Sequence, residues 1–239
     1  CTRAGDYLVQ SRTYSAQTHS WSDKQVVGED ERVEDIQMSI AFTPDGNAML
    51  VYGGESDNDS SSVVSRRYLV DSNRWEAAKV IDADTTELRS IDLTLDAQGN
   101  AIVVWVDSGG DGNQRLSANH YDAGQAQWLA QPIRLHTSPN GRDLNSPVIA
   151  SDPQGNAILA WEQKLESNLF SQLLTLHYSA QEEGEHGERW SATPLAVVPD
   201  LETASMGSPQ IGIDAQGNAL VIWPHELNPG TPNPEVSIL

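Results

Sequence analysis

Apolar residues in this chain gather into short unbroken runs rather than long periodic stretches. Ala101-Ile-Val-Val-Trp105 is apolar at five successive positions, and Ala48-Met-Leu-Val-Tyr52, Ala157-Ile-Leu-Ala-Trp161 and Ala219-Leu-Val-Ile-Trp223 repeat the pattern. A strand with one wet face alternates apolar and polar positions, so a run apolar on both faces belongs to a strand covered from both sides. Before each run stands a polar turn: Thr43-Pro-Asp-Gly-Asn47, Asp96-Ala-Gln-Gly-Asn100, Asp152-Pro-Gln-Gly-Asn156 and Asp214-Ala-Gln-Gly-Asn218. A shorter apolar segment, such as Ile91-Asp-Leu-Thr-Leu95 or Ile211-Gly-Ile213, precedes each turn. Each unit thus opens with a β-hairpin. Its glycine supplies the left-handed conformation a tight turn needs, and its Asp accepts hydrogen bonds from backbone N–H groups of the turn. These residues read as turn chemistry, not as a catalytic or metal signature.

The turn glycines 46, 99, 155 and 217 are separated by 53, 56 and 62 residues, so the chain carries four copies of one repeat. Between the hairpins lies a second motif. Tyr14 and Trp21, Tyr68 and Trp75, and Tyr121 and Trp128 are each seven apart; Tyr178 and Trp190 are twelve apart, with an insertion over 182–187. Four strands per unit follow: a and b around the turn, c leading to the Tyr, d after the Trp. The expected fold is all-β, a β-propeller of four-stranded antiparallel blades, spanning 7–239 as one domain behind a short tether over 1–6. The first Tyr–Trp pair has no hairpin before it, and the last hairpin has no pair after it. The N-terminal strands are therefore expected to complete the blade begun at the C-terminus, giving four blades. Residues 236–239 compete for the same place, which leaves a part of a larger propeller as the alternative.

Charge narrows the partners. With 34 acidic against 14 basic residues the chain carries a net charge of -20. Such a surface repels nucleic acid and anionic lipid, and it suits a cationic protein partner. No apolar run approaches the roughly 18 residues of a membrane helix. The single cysteine, Cys1, excludes an internal disulfide. Its position ahead of the small, polar Thr2-Arg-Ala-Gly-Asp6 predicts a lipid-carrying residue, with membrane contact through that anchor alone.

The Asp152-Pro-Gln-Gly-Asn-Ala-Ile-Leu-Ala-Trp161 motif and its three relatives, with the Tyr–Trp pairs, resemble the repeat-built β-propellers of bacterial secreted proteins and envelope lipoproteins. The resemblance runs from Tyr7 to Trp223. It implies the fold and a place in the bacterial envelope or outside the cell. It carries over no functional residue, because propellers host many unrelated activities.

Candidate chemistry lies in the variable segments joining b to c and d to a, which are acidic. Glu29, Asp30, Glu31, Glu34, Asp35, Asp57 and Asp84 are the expected partner-binding face; Glu55, Asp59, Asp82, Glu87, Asp107, Asp111, Glu162, Glu166 and Glu226 are further acids of the same segments. Asp107-Ser-Gly-Gly-Asp-Gly-Asn113 offers Asp107, Asp111 and Asn113 as hard oxygen ligands for Ca²⁺, though not at EF-hand spacing. No His pair has zinc spacing, and there is no Gly-x-Ser-x-Gly elbow. Glycoside hydrolysis needs two carboxylates, and the sequence does not single out a pair among 34 acids. The function expected from this reading is a non-catalytic protein-interaction module of the cell envelope needing no cofactor. The alternatives are a carbohydrate-binding propeller and a propeller hydrolase or lyase.

Overall fold

Each Asp-x-Gln-Gly-Asn turn closes on its own aspartate. Asp152 accepts the backbone N–H of Gln154 at 2.9 Å and of Asn156 at 3.0 Å on Oδ1, and the Asn156 side-chain amide at 2.8 Å on Oδ2. Asp96 and Asp214 repeat the same three bonds. The turn glycines Gly46, Gly99, Gly155 and Gly217 all sit at φ between 85° and 90°, where a Cβ would be strained. In the first turn Thr43 stands in place of the aspartate, and Asp45 takes over, accepting the Thr43 hydroxyl and the Asn47 amide. The computed structural model describes residues 8–28, 37–55, 61–109, 111–138, 143–165, 171–182, 184, 187–197 and 206–224.

The turn asparagine does more than tolerate its position. Its Oδ1 accepts the backbone N–H of Val70 (from Asn47, 3.1 Å), Ala123 (from Asn100, 3.0 Å) and Ala180 (from Asn156, 3.1 Å). Each of these residues lies two beyond the repeat tyrosine. The asparagine therefore fastens the end of strand c to the a–b turn, and three sheets grow from that junction. The first comprises Met38–Phe42, Ala48–Glu55, Ser61–Leu69, Arg74–Trp75 and Lys79–Thr85. The second comprises Leu88–Leu95, Ala101–Ser108, Gln114–Asp122, Gln127–Trp128 and Ile133–Thr137. The third comprises Leu144–Ser151, Ala157–Lys164, Ser171–Tyr178 and Leu195–Ala196. All pairings are antiparallel, and Ala48, Ala101 and Ala157 stand opposite Tyr68, Tyr121 and Tyr178. The outer strand comes in two pieces. Trp75 and Trp128 pair with the tyrosine end of strand c, and the following segment pairs with its other half. The Tyr–Trp rings lie 5.4, 5.3 and 5.2 Å apart in the three sheets.

Strand b is the core. Every residue of 101–107 is buried, and Trp105 and Trp161 are wholly inaccessible. Fully burying such rings contributes on the order of 2–3 kcal/mol each. The covering comes from neighbouring sheets: one apolar cluster joins the first and second, another the second and third. Sheet-to-sheet contacts follow a code. The Trp of one sheet donates its indole N–H back to strand c of the sheet before: Trp75 to Ser11 at 2.9 Å, Trp128 to Ser65 at 2.8 Å, Trp190 to His120 at 3.2 Å. The residue before each Tyr leans on the next sheet's Tyr: Thr13 on Tyr68, Arg67 over Tyr121, His120 against Tyr178.

Strand a is innermost. At one end Gln37, Ser90, Asn145 and Ser208 from four successive repeats line one cavity; at the other, Phe42, Leu95, Ser151 and Ile213 line another. The four inner strands thus line one axis, and the sheets radiate from it as blades. The fourth hairpin, Gln210–Ile213 with Ala219–Ile222, has no third strand among the described residues. Its Leu220 and Ile222 are 70% and 59% exposed, whereas their counterparts Met49 and Val51 are 2% and 0%. The N-terminal ribbon shows the complementary lack. Tyr14 pairs with Trp21 at 5.3 Å like the other pairs, but among the described residues no a–b hairpin backs it, and both rings are exposed.

Closure into four blades carries a definite register. Met49 pairs with Arg67, so Leu220 would stand opposite Thr13. The variant Thr13→Cys/Leu220→Cys, with Cys1→Ser, is expected to form an intrachain disulfide on mild oxidation, since cross-strand partners lie within disulfide reach. A disulfide only between chains, or none, on non-reducing electrophoresis would rule out the four-blade ring.

Candidate functional site

Two of the inner strands are irregular where they begin. In the second blade the register slips between Leu88 and Ser90, and in the third between Asn145 and Val148. Ser146 is held at φ 48°, a left-handed conformation that costs a non-glycine residue on the order of 1 kcal/mol. Bulges re-aim side chains and end pairing. Here both fall at the mouth of the 640 Å³ cavity on the axis, and they bring Arg89, Asn145 and Ser146 into its wall.

Two carboxylates share this mouth, Glu87 and Glu162. Glu162 follows Trp161 at the end of strand b and is buried. Lys164 Nζ lies 2.9 Å from its Oε1, which also accepts the Ser171 hydroxyl; Asn145 Nδ2 donates to its Oε2 at 3.2 Å. Glu87 is exposed. Its Oε2 accepts the Ser108 hydroxyl at 2.9 Å and a longer bond from Arg89 at 3.4 Å, while Arg89 Nε donates to the same Ser108 at 2.9 Å. Ser146 and Ser208 hydroxyls meet across the third and fourth repeats at 2.9 Å. Ser90 Oγ, also in the wall, is buried without a hydrogen-bond partner. The mouth therefore offers two oriented carboxylates, one guanidinium, amides and hydroxyls. These groups can hold a polyhydroxylated ligand and move protons at it.

Beneath the mouth, Asp92 stitches three inner strands together. It accepts the Ser39 hydroxyl and the Ile149 backbone N–H, both at 2.9 Å. Burial pushes its carboxyl above the usual range, and the hydrogen bonds only partly offset this.

The residues singled out from sequence fall in different places. Cys1, Glu29, Asp30, Glu31, Glu34, Asp35 and Asp57 lie outside the described residues, and Asp84 lies in strand Lys79–Thr85. Asp111 lies beside Gly109, and both Asp107 and Asp111 are within the influence of Arg115. Its guanidinium holds Asp107 Oδ1 at 2.8 Å and helps lower the Asp111 carboxyl, whose main acceptor bonds are to Asn113. Among the described residues no three His, Cys, Asp or Glu side chains cluster as metal ligands. Sequence reasoning took Glu87 and Glu162 only as loop acids. A signal was available for Glu162: the equivalent residues after the strand-b aromatic are Gly53, Val106 and Pro224.

No protein-family model matches the chain, and no curated protein matches it. Solved structures do. An endo-arabinase from Bacteroides thetaiotaomicron aligns over 85% of this chain and 76% of its own, with TM-score 0.54 and 12% identity. An α-L-arabinofuranosidase from Fusarium graminearum, solved with arabinobiose, aligns over 84% of this chain with TM-score 0.55 and 11% identity. A microbial sialidase aligns over 76% with TM-score 0.50 and 9% identity. The chain spans 58% of the arabinofuranosidase and 39% of the sialidase. The chain is a β-propeller. These likenesses also correct the expectation of a non-catalytic protein-binding module, because the propellers it matches are carbohydrate-active enzymes. At such identities they fix the fold, and the chemistry must come from this chain's own residues.

Because burial raises Asp92 in the folded chain, the folded state holds that proton more tightly than the unfolded one. Its stabilising contribution is complete below the unfolded value of 3.8 and is lost as pH rises through the folded value. Asp92→Asn should therefore gain on the parent in melting temperature as pH rises from about 3.8 toward neutrality. A difference that shrinks with rising pH in paired thermal melts would refute this.

Proposed function

We propose that this propeller acts on carbohydrate at the axial cavity, cleaving a glycosidic bond with Glu87 and Glu162 as its two carboxylates. One observation carries the reading: two glutamates from different blades enter one cavity on the axis, each oriented by neighbouring donors. Glycoside hydrolysis needs such a pair, one group protonating the leaving oxygen and the other acting as base or nucleophile. Asn145, Arg89, Ser146 and Ser208 would hold sugar hydroxyls around it. The cavity volume of 640 Å³ lies within the range of small-molecule sites. The matched propellers supply the substrate class to test first, since one is an endo-arabinase and another was solved with arabinobiose.

A second reading, sugar binding without turnover, is favoured by the engagement of Glu162. Both its oxygens already accept from Lys164, Ser171 or Asn145. The two readings separate in one experiment. Reducing ends released from arabino-oligosaccharides are measured for the parent, Glu162→Gln and Glu87→Gln, with binding measured alongside. Hydrolysis predicts that each change lowers kcat by about 10²–10⁴, with the melting temperature nearly unchanged for Glu87→Gln and lowered for Glu162→Gln, which leaves the Lys164 ammonium without its buried partner. Binding without release in the parent selects the second reading; neither binding nor release on a panel of neutral glycans sinks both.

A further inference from the structure

Two departures from the repeat meet at one place, and the axial site uses neither. The first is the residue before the strand-c tyrosine. In the first blade Arg67 lies over the Tyr121 ring, 5.6 Å from its centroid, and fills the gap to the second blade. In the second blade that position is His120, a shorter, flat side chain buried against Tyr178 at 4.7 Å and accepting the Trp190 indole N–H. The second departure is the insertion between Tyr178 and Trp190, which lengthens the c–d turn of the third blade alone. The shorter side chain leaves a gap, and Ala180, Gln181 and Arg189, on either side of the insertion, form the wall beside it. Between the second and third blades the result is a groove of 530 Å³, on the face opposite the axial mouth.

The groove has a definite chemistry. Its rim carries the amide side chains of Gln98, Gln125, Gln154 and Gln181, with Asp122 on one wall and Arg189 on the other. Arg189, just before Trp190 and past the insertion, is braced by backbone carbonyls, Nε on Gly184 at 3.2 Å and a longer bond to Ala180 at 3.5 Å. Primary amides offer both donor and acceptor, and a guanidinium and a carboxylate on the two walls add one of each; Asp122 also accepts the backbone and side-chain amides of Gln125, both at 3.0 Å, and Gln127 donates to the Gln125 oxygen. That set matches vicinal hydroxyls. An anionic ligand would meet Asp96 and Asp122 in the walls and a net charge of -20 around them.

We propose that this groove is a second binding site, for a neutral sugar unit, separate from the axial cavity. The choice of a sugar rests on the proposed carbohydrate function; the position of the groove does not. The two sites share no lining residue, so a glycan held at one face leaves the other free.

The test is a titration of the ¹⁵N-labelled full chain with arabinotriose and with xylotriose, read at side-chain amides and paired with the reducing-end assay. Shifts are expected at Gln98, Gln125 and Gln181. Arg189→Ala should weaken that binding about tenfold or more, and Glu162→Gln should leave it unchanged. His120→Arg, which restores the first blade's residue, should fill the groove and abolish the shifts. If Arg189→Ala melts early, Gln181→Ala takes its place. Absence of shifts with both sugars, or shifts that survive Arg189→Ala and His120→Arg, overturns the groove. Hydrolysis without groove binding would defeat this inference alone; loss of both would defeat the carbohydrate reading itself.

Discussion

The whole molecule depends on one constraint, the carboxylate-locked turn that begins each repeat. An aspartate holds two backbone N–H groups and the amide of the asparagine four residues on; that asparagine then uses its oxygen to hold strand c. Buried or half-buried backbone groups need partners, and here the partners are side chains coded in five consecutive residues. Once the turn is set, Ala157 must face Tyr178, and Tyr178 must face Trp190. The register of a blade is then decided before any blade-to-blade packing occurs. This is why a motif of apparently local turn residues accompanies every hydrophobic strand b. A slip of one residue would send the apolar run to the wrong face.

Between blades the governing interactions are fewer. Indole N–H groups reach back one blade, and the residue before each tyrosine reaches forward one. The N-terminal ribbon obeys the same rule as the full blades, with Ser11 receiving Trp75 as Ser65 receives Trp128. The ribbon is therefore the outer half of a blade by its contacts, not merely by its spacing. The exposed Leu220 and Ile222 mark the inner half that lacks such cover. Large exposed apolar side chains at positions buried elsewhere in a repeat point to a surface that awaits a strand.

Much of this was legible in the amino-acid sequence because repetition multiplies weak signals. A single Gly-Asn pair predicts a turn; four at matching spacing, each followed by an apolar run and an aromatic, predict an architecture. The asparagine's second role was not legible, since its partners Val70, Ala123 and Ala180 share only a backbone N–H. Nor was the axial pair. Glu87 and Glu162 are far apart in sequence, on different blades, and among many acids only the ring geometry brings those two to one mouth. The calcium expectation for Asp107, Asp111 and Asn113 rested on the loop's oxygens; that Arg115 reaches Asp107 across the strand pair was not legible from the loop alone.

Repetition also suggests where function resides in such a chain. Positions that every blade shares are explained by turns and packing, so they carry little information about activity. The informative positions are those where one blade departs from the rest. Glu162 replaces Gly, Val or Pro. The bulges at Arg89 and Ser146 break two inner strands just where they reach the axis. His120, with Gln181 and Arg189 on either side of the insertion, lines one interblade groove. Each departure costs the repeat something in regularity: a buried carboxylate needs three partners, and a serine must sit at positive φ. Stabilisation of the fold alone gives no reason to keep them. The proposed ligand contacts would, and these departures fall on the walls of two cavities.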